Sequence, residues 1–120
     1  MEKLKVIVAG TRSFKDYALL KEKLDLYLSH YPSESLEIVS GKAKGADSLG
    51  EQYATENEIS IAEFPADWDS YGKRAGYLRN EQMAEYADCL VAFWNGKSVG
   101  TRHMIDLARK HGLKVRIVKY

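Results

Sequence analysis

The sequence predicts an α/β fold of the Rossmann-like kind: a doubly wound, parallel five-stranded sheet in the order 3-2-1-4-5, packed between helices in three layers. Five short apolar runs rich in β-branched residues, at 5–9, 36–39, 60–64, 89–93 and 115–118, alternate with four stretches of helical periodicity. That alternation is the pattern of consecutive βαβ units. No repeat, low-complexity tract or linker interrupts the 120 residues, and only two prolines punctuate them. Right-handed crossovers then leave few topologies, of which this strand order is the commonest.

Each element has its own reason. The first strand, around Val6-Ile7-Val8-Ala9, is too short for a signal-peptide core or a membrane span, so the expectation is a cytoplasmic protein with no membrane partner. The first helix is expected over 17–30, where Leu19, Leu20, Leu24, Tyr27 and Leu28 recur at helical spacing before Pro32. Further helices are expected over 46–57, 75–86 and 100–111, the last stopped by Gly112 as a C-cap glycine would stop it. A hydrophobic content of 45% suffices for one core, so residues 1–120 are expected to form one domain. Cys89, the sole cysteine, lies in the apolar run Asp88-Cys89-Leu90-Val91 and reads as a strand residue rather than a nucleophile.

A net charge of +1 gives the molecule no strong overall field, which argues against a general nucleic-acid or membrane binder. Its distribution is uneven. The strand-end segments 10–16, 40–47, 64–80 and 95–102 hold nine Lys/Arg against four Asp/Glu, whereas the remainder has nine against thirteen. Positive charge is thus concentrated where doubly wound sheets hold ligands, which favours an anionic small molecule.

Four loops carry the candidate site. After the first strand come Gly10, Thr11, Arg12 and Ser13, combining close backbone approach, hydroxyls and a guanidinium fork suited to phosphate. The single glycine there is not a G-x-G-x-x-G dinucleotide fingerprint, and no cofactor is expected. The second loop, Ser40-Gly41-Lys42-Ala43-Lys44-Gly45-Ala46-Asp47, opens directly onto a helix, where free amides and the helix dipole favour an anion. It lacks the Walker A spacing. Asp47 reads equally well as a first-turn helix residue favoured by the dipole. The third loop brings Asp67, Trp68, Asp69, Tyr71, Lys73 and Arg74 together, with Trp68 or Tyr71 suited to stacking on a base and Asp67 or Asp69 to ribose hydroxyls. Arg79 and Asn80 follow on the next helix and can point back. The fourth, with Asn95, Gly96, Ser98, Gly100 and Thr101, places glycines and hydroxyls at a helix start, a place for phosphate. The three histidines lack metal-ligand spacing, so no metal is expected, and His103 reads as a surface residue.

These loops resemble the SLOG superfamily, and within it the YspA-related group of small stand-alone proteins. The resemblance rests on Val8-Ala9-Gly10-Thr11-Arg12 with Phe14, the 40–47 string, Phe64-Pro65-Ala66-Asp67-Trp68 with Gly72–Gly76, Arg79-Asn80, and the Gly100-Thr101 helix start. It implies recognition of nucleotides or their derivatives, often by sensors in conflict or defence systems and sometimes by phage proteins. The related LOG phosphoribohydrolases pair an arginine on an R-K-x-x-M helix with a glutamate in P-G-G-x-G-T-x-x-E. Here Arg79 and Met83 keep the first motif, but Met104 stands where the glutamate would. A thioether cannot stabilise an oxocarbenium-like state or activate water.

The leading expectation is therefore a binding protein that senses or sequesters a nucleotide-derived ligand. The alternative is a nucleotide hydrolase using Arg79 with a displaced carboxylate, with Asp67, Asp69 and Asp106 as candidates. A third reading, single-stranded DNA binding as in the DprA branch, is opposed by the near-neutral charge. Relatives commonly assemble, so a homo-oligomer is also expected.

Overall fold

A computed structural model describes residues 2–120. Strands β1 (Leu4–Gly10), β2 (Leu36–Ser40), β3 (Ser60–Glu63), β4 (Cys89–Trp94) and β5 (Lys114–Lys119) form one parallel sheet in the order β3-β2-β1-β4-β5, as expected. Alternation along the strands builds the core on both faces. In β1, Val6 and Val8 face the helices α1 (Tyr17–Tyr27) and α2 (Ala46–Glu56), joining Leu20, Leu24, Tyr53 and Phe93. Ile7 and Ala9 face α4 (Ala75–Tyr86) and α5 (Val99–Lys110), with Met83, Met104, Ile105 and Ala108. The result is the expected three layers.

The differences from expectation are local. Helix α1 ends at Tyr27 rather than 30, and residues 28–30 form a tighter turn in which the Tyr31 amide donates to the Leu28 carbonyl at 3.0 Å. The third loop is not irregular throughout: Trp68–Tyr71 form a single turn, α3, followed by a 3-10 turn at Gly72–Arg74. Helix α5 starts one residue earlier than expected, capped by the Ser98 side chain, and Gly112 follows its C-cap at φ +77°. Cys89 is half-buried in β4, and burial pushes its thiol pKa up, away from the range of a reactive thiolate. No helix among the described residues is long and apolar enough to cross a membrane.

Candidate functional site

The order of the sheet reverses between β1 and β4, and the loops leaving their C-terminal ends diverge there. A cavity of about 260 Å³ occupies this crevice. Gly10 and Arg12 of the first loop, Asp47 of α2, Arg79 and Asn80 of α4, and Ser98, Gly100 and Thr101 at the start of α5 line it. Met83 and Met104 give it apolar wall, and Lys73, Gly76 and Tyr77 complete the side toward solvent. A second, wider cavity of about 740 Å³ adjoins it, lined by Gly41, Lys42, Lys44, Pro65 and Ala66. Arg12, Ala43, Trp68 and Arg79 belong to both.

Arg79 is the pivot of this arrangement. It is only 9% exposed. Its Nε donates to Asn80 Oδ1 at 3.1 Å and its Nη1 donates to the Gly41 carbonyl, which ties α4 to the loop after β2. Its Nη2 has no acceptor among the described residues. With Asn80 Oδ1 so used, Asn80 Nδ2 donates to the Gly100 carbonyl at 3.4 Å and to His103 Nδ1 at 3.1 Å. His103 therefore accepts at Nδ1 and is neutral, in keeping with burial that holds its pKa below the ordinary value. Tyr77 packs edge-on against the imidazole at 4.6 Å. His103 is thus part of the scaffold under the α5 start rather than the surface residue expected; its spacing from Asn80, on another helix, gave no sign of this.

Asp47 is the carboxylate of the site. It sits in the first turn of α2, 5% exposed, and accepts from the Ala43 amide at 3.3 Å and from the Gly41 amide. Burial pushes its pKa up to about 6, against the lowering pull of Arg79 and of those two amides. Its two expected readings coincide in the fold: it lies at the helix N-terminus and it also lines the cavity.

Six expected ligand residues do not line either cavity, because neighbouring loops use them. Thr11 Oγ1 accepts from the Asn95 amide at 3.2 Å. Ser40 Oγ donates to Glu51 at 2.6 Å and accepts from the Lys42 amide. Asn95 Oδ1 accepts from the Lys97 and Ser98 amides, shaping the turn into α5. Gly96 lies against Lys119. Gly45, at φ +78°, is pressed on the first loop, where a Cβ would fall 2.6 Å from the Arg12 carbonyl oxygen. Asp67, expected as a ligand or catalytic group, instead caps α3 by accepting from the Ser70 amide at 3.1 Å. Asp69 and Asp106 are exposed and line neither cavity, so none of the carboxylates expected to replace a catalytic glutamate reaches it.

Gly100 lines the cavity at an exposed position, and a Cβ placed there meets nothing within 4 Å. Gly100→Val is therefore expected to fill the crevice, abolishing binding of an anionic ligand while leaving the melting temperature unchanged or slightly raised, since valine outranks glycine in a helix. Calorimetric titration and thermal melting of the same variant check both halves.

Residues 4–71, from β1 through α3, match the profile of YAcAr, the YspA, cpYpsA-related SLOG family. The chain belongs to that family. This YAcAr protein is also 36% identical over 119 residues to the Gene 61 protein of Mycobacterium phage D29, covering 92% of this chain and 93% of the phage protein. Its fold is shared with the DNA processing protein A (DprA) of Streptococcus pneumoniae at a TM-score of 0.77 and 19% identity, and with that of Helicobacter pylori at 0.68 and 20%. It spans 51% and 66% of those two chains. The family match covers the first two loops and the third as far as Tyr71, whereas Lys73, Arg79 and the α5 start lie beyond it and within the similarity to the phage protein.

Proposed function

We propose that this YAcAr protein binds a phosphorylated, nucleotide-derived small molecule in the crevice between β1 and β4, as a sensing or sequestering protein. The observation that carries the reading is Arg79: a largely buried residue that lines the cavity and whose third guanidinium nitrogen has no acceptor among the described residues, beside the amide-rich start of α5. The guanidinium is held in place by its other two nitrogens and keeps this one open to the cavity, where a phosphate oxygen can accept from it in a charge-assisted bond. The Ser98 side chain already caps the Thr101 amide at 3.4 Å, so the Val99 and Gly100 amides are the ones left for the anion. Trp68, half-exposed on the rim of both cavities, offers a face for a base.

The test is titration of nucleoside monophosphates, ADP-ribose and cyclic mono- and dinucleotides into the parent protein and Arg79→Ala. Loss of the guanidinium is expected to weaken binding by about 1.5–3 kcal/mol, roughly ten- to a hundredfold. Unchanged affinity in a folded variant would exclude this role for Arg79. Recovery of the ligand intact after incubation supports holding over hydrolysis.

A second reading is favoured by the fold shared with DprA, because the Helicobacter pylori protein is described as binding single-stranded DNA. On that reading the wider, cationic cavity follows a strand, and binding falls steeply with salt as phosphate-released counterions demand. Titration of an oligothymidylate at two salt concentrations separates the two.

A further inference from the structure

We propose that the ligand spans both cavities and carries two separate phosphoryl groups, one on each side of the waist formed by Trp68 and Arg79. The inference rests on the nucleotide-binding reading above and narrows it to dinucleotide-like molecules.

Three features of the waist support this. The first is charge. In the wider cavity Lys42 is already neutralised, paired with Glu51 at 2.9 Å and Glu63 at 2.8 Å. Arg12 and Lys44 have no hydrogen-bond or ion-pair partner among the described residues; Lys44 lines only the wider cavity, and Arg12 lines both. Lys73, likewise without a partner among the described residues, lines only the inner cavity, on the α5 side. Cations therefore flank Arg79 on both sides, and the carboxylate between them, Asp47, is engaged by backbone amides. Burial lowers the Arg79 pKa against the raising pull of Asp47, and the nearby Arg12 adds a smaller lowering, a pairing of like charges that an anion between them relieves.

The second feature is size. The inner cavity, about 260 Å³, falls below the usual range of roughly 300–1,000 Å³ for small-molecule sites and has room for only part of a ligand. Joined to the 740 Å³ cavity it reaches the upper part of that range.

The third is the seating of Trp68. Its ring edge rests over Gly76, where an added Cβ would lie 3.3 Å from Cη2 and 3.8 Å from Arg79 Nη2. The bare glycine lets the indole and the guanidinium share one wall. A base stacked on the indole would thus have a phosphate-binding group to either side, a geometry that a nucleoside with phosphates at both ends satisfies and a monophosphate half-satisfies.

The test uses the full chain in calorimetric titrations with AMP, GMP, CMP and UMP and with the 5′-phosphorylated dinucleotides pApA, pGpG, pCpC and pUpU. The expected result is that at least one dinucleotide binds ten times or more tighter than its monophosphate, and that Lys44→Ala weakens that dinucleotide at least five times more than the monophosphate. Equal affinities for the matched pair, or equal weakening of both by Lys44→Ala, overturn the two-phosphate proposal while leaving nucleotide binding in place. No binding of any of the eight to the folded protein overturns the two-phosphate proposal, and no binding of ADP-ribose or of the cyclic nucleotides either overturns the underlying reading as well. Affinity for 5′-phosphorylated oligothymidylates that keeps rising from two to six to twelve residues identifies a strand as the ligand and also overturns the proposal.

Discussion

Alanine in place of Gly10 is expected to lower the melting temperature by about 10 °C and to remove ligand binding with it. Gly10 ends β1 at the point where that strand meets β4 and the start of α2. A Cβ there would lie 2.9 Å from the Ala46 Cβ and inside the contact distance of the Phe93 carbonyl oxygen, which already accepts from the Thr11 amide at 3.0 Å. Both obstacles are fixed, one in the backbone of a central strand and the other in the first residue of a helix. No flexible side chain can swing aside. Overpacking of this sort costs about 3 kcal/mol, and for a domain of this size each kcal/mol moves the melting point by roughly 3–5 °C. The strand ends that the methyl group would push apart are those that enclose the inner cavity. Thermal melting followed by circular dichroism checks the prediction; a variant melting within 2 °C of the parent would mean that the β1, β4 and α2 junction has slack. The close approach that the glycine permits is thus between parts of the protein, and only indirectly toward a ligand.

The same distinction explains how much of the molecule was legible in its sequence. Strand order followed from β-branched runs and crossover handedness, because both operate over whole elements. Arg79 could be placed on the ligand side from its helix position, since a residue one turn into α4 lies over the sheet edge. The hydroxyls and amides of the loops could not be assigned in the same way. Thr11 and Asn95 face each other across 84 positions of sequence, and Ser40 meets Glu51 a full helix turn into α2. Nothing in either loop alone says that the other will use its polar group. Asp67 and Asp47 show the same effect in opposite directions. Both precede or open a helix, but α3 is one turn long and exposed, so Asp67 is spent as its cap, whereas α2 is packed under the second loop and Asp47 is carried into the cavity. Tyr77 and Gly76 were missed as site residues because their role depends on how the short α3 folds back on α4, a contact with no periodic signature.

Asp47→Asn is expected to stabilise the protein above pH 7, by about 3 kcal/mol at most. Burial raises the folded-state pKa to about 6 from an ordinary 3.8, so the folded chain holds this proton more tightly than the unfolded chain. The stabilisation that protonation provides is fully present below pH 3.8, declines as pH rises toward 6, and is absent above it. Asparagine mimics the protonated form at every pH and keeps an oxygen to accept from the Ala43 and Gly41 amides. The variant should therefore match the parent near pH 4 and melt roughly 10 °C higher at pH 8. The charges that bear on Asp47 are Arg79 of α4, which favours the carboxylate, and Glu51 of α2, which opposes it. An anionic ligand bound at Arg79 would add to the opposition and take up a proton on binding. Phosphate-bearing ligands should thus bind the parent progressively more weakly as pH rises above 6, and Asp47→Asn should flatten that dependence. Melting curves from pH 4 to 8, with titrations of the tightest-binding nucleotide at the same pH values, test both parts. Equal melting points at pH 8 would show that Arg79 fully balances the buried charge. A carboxylate that costs stability at neutral pH while facing an anion site is costly to keep for packing alone, and a gain in both stability and affinity in the asparagine variant would point to selection for release or control of the ligand rather than for tight holding.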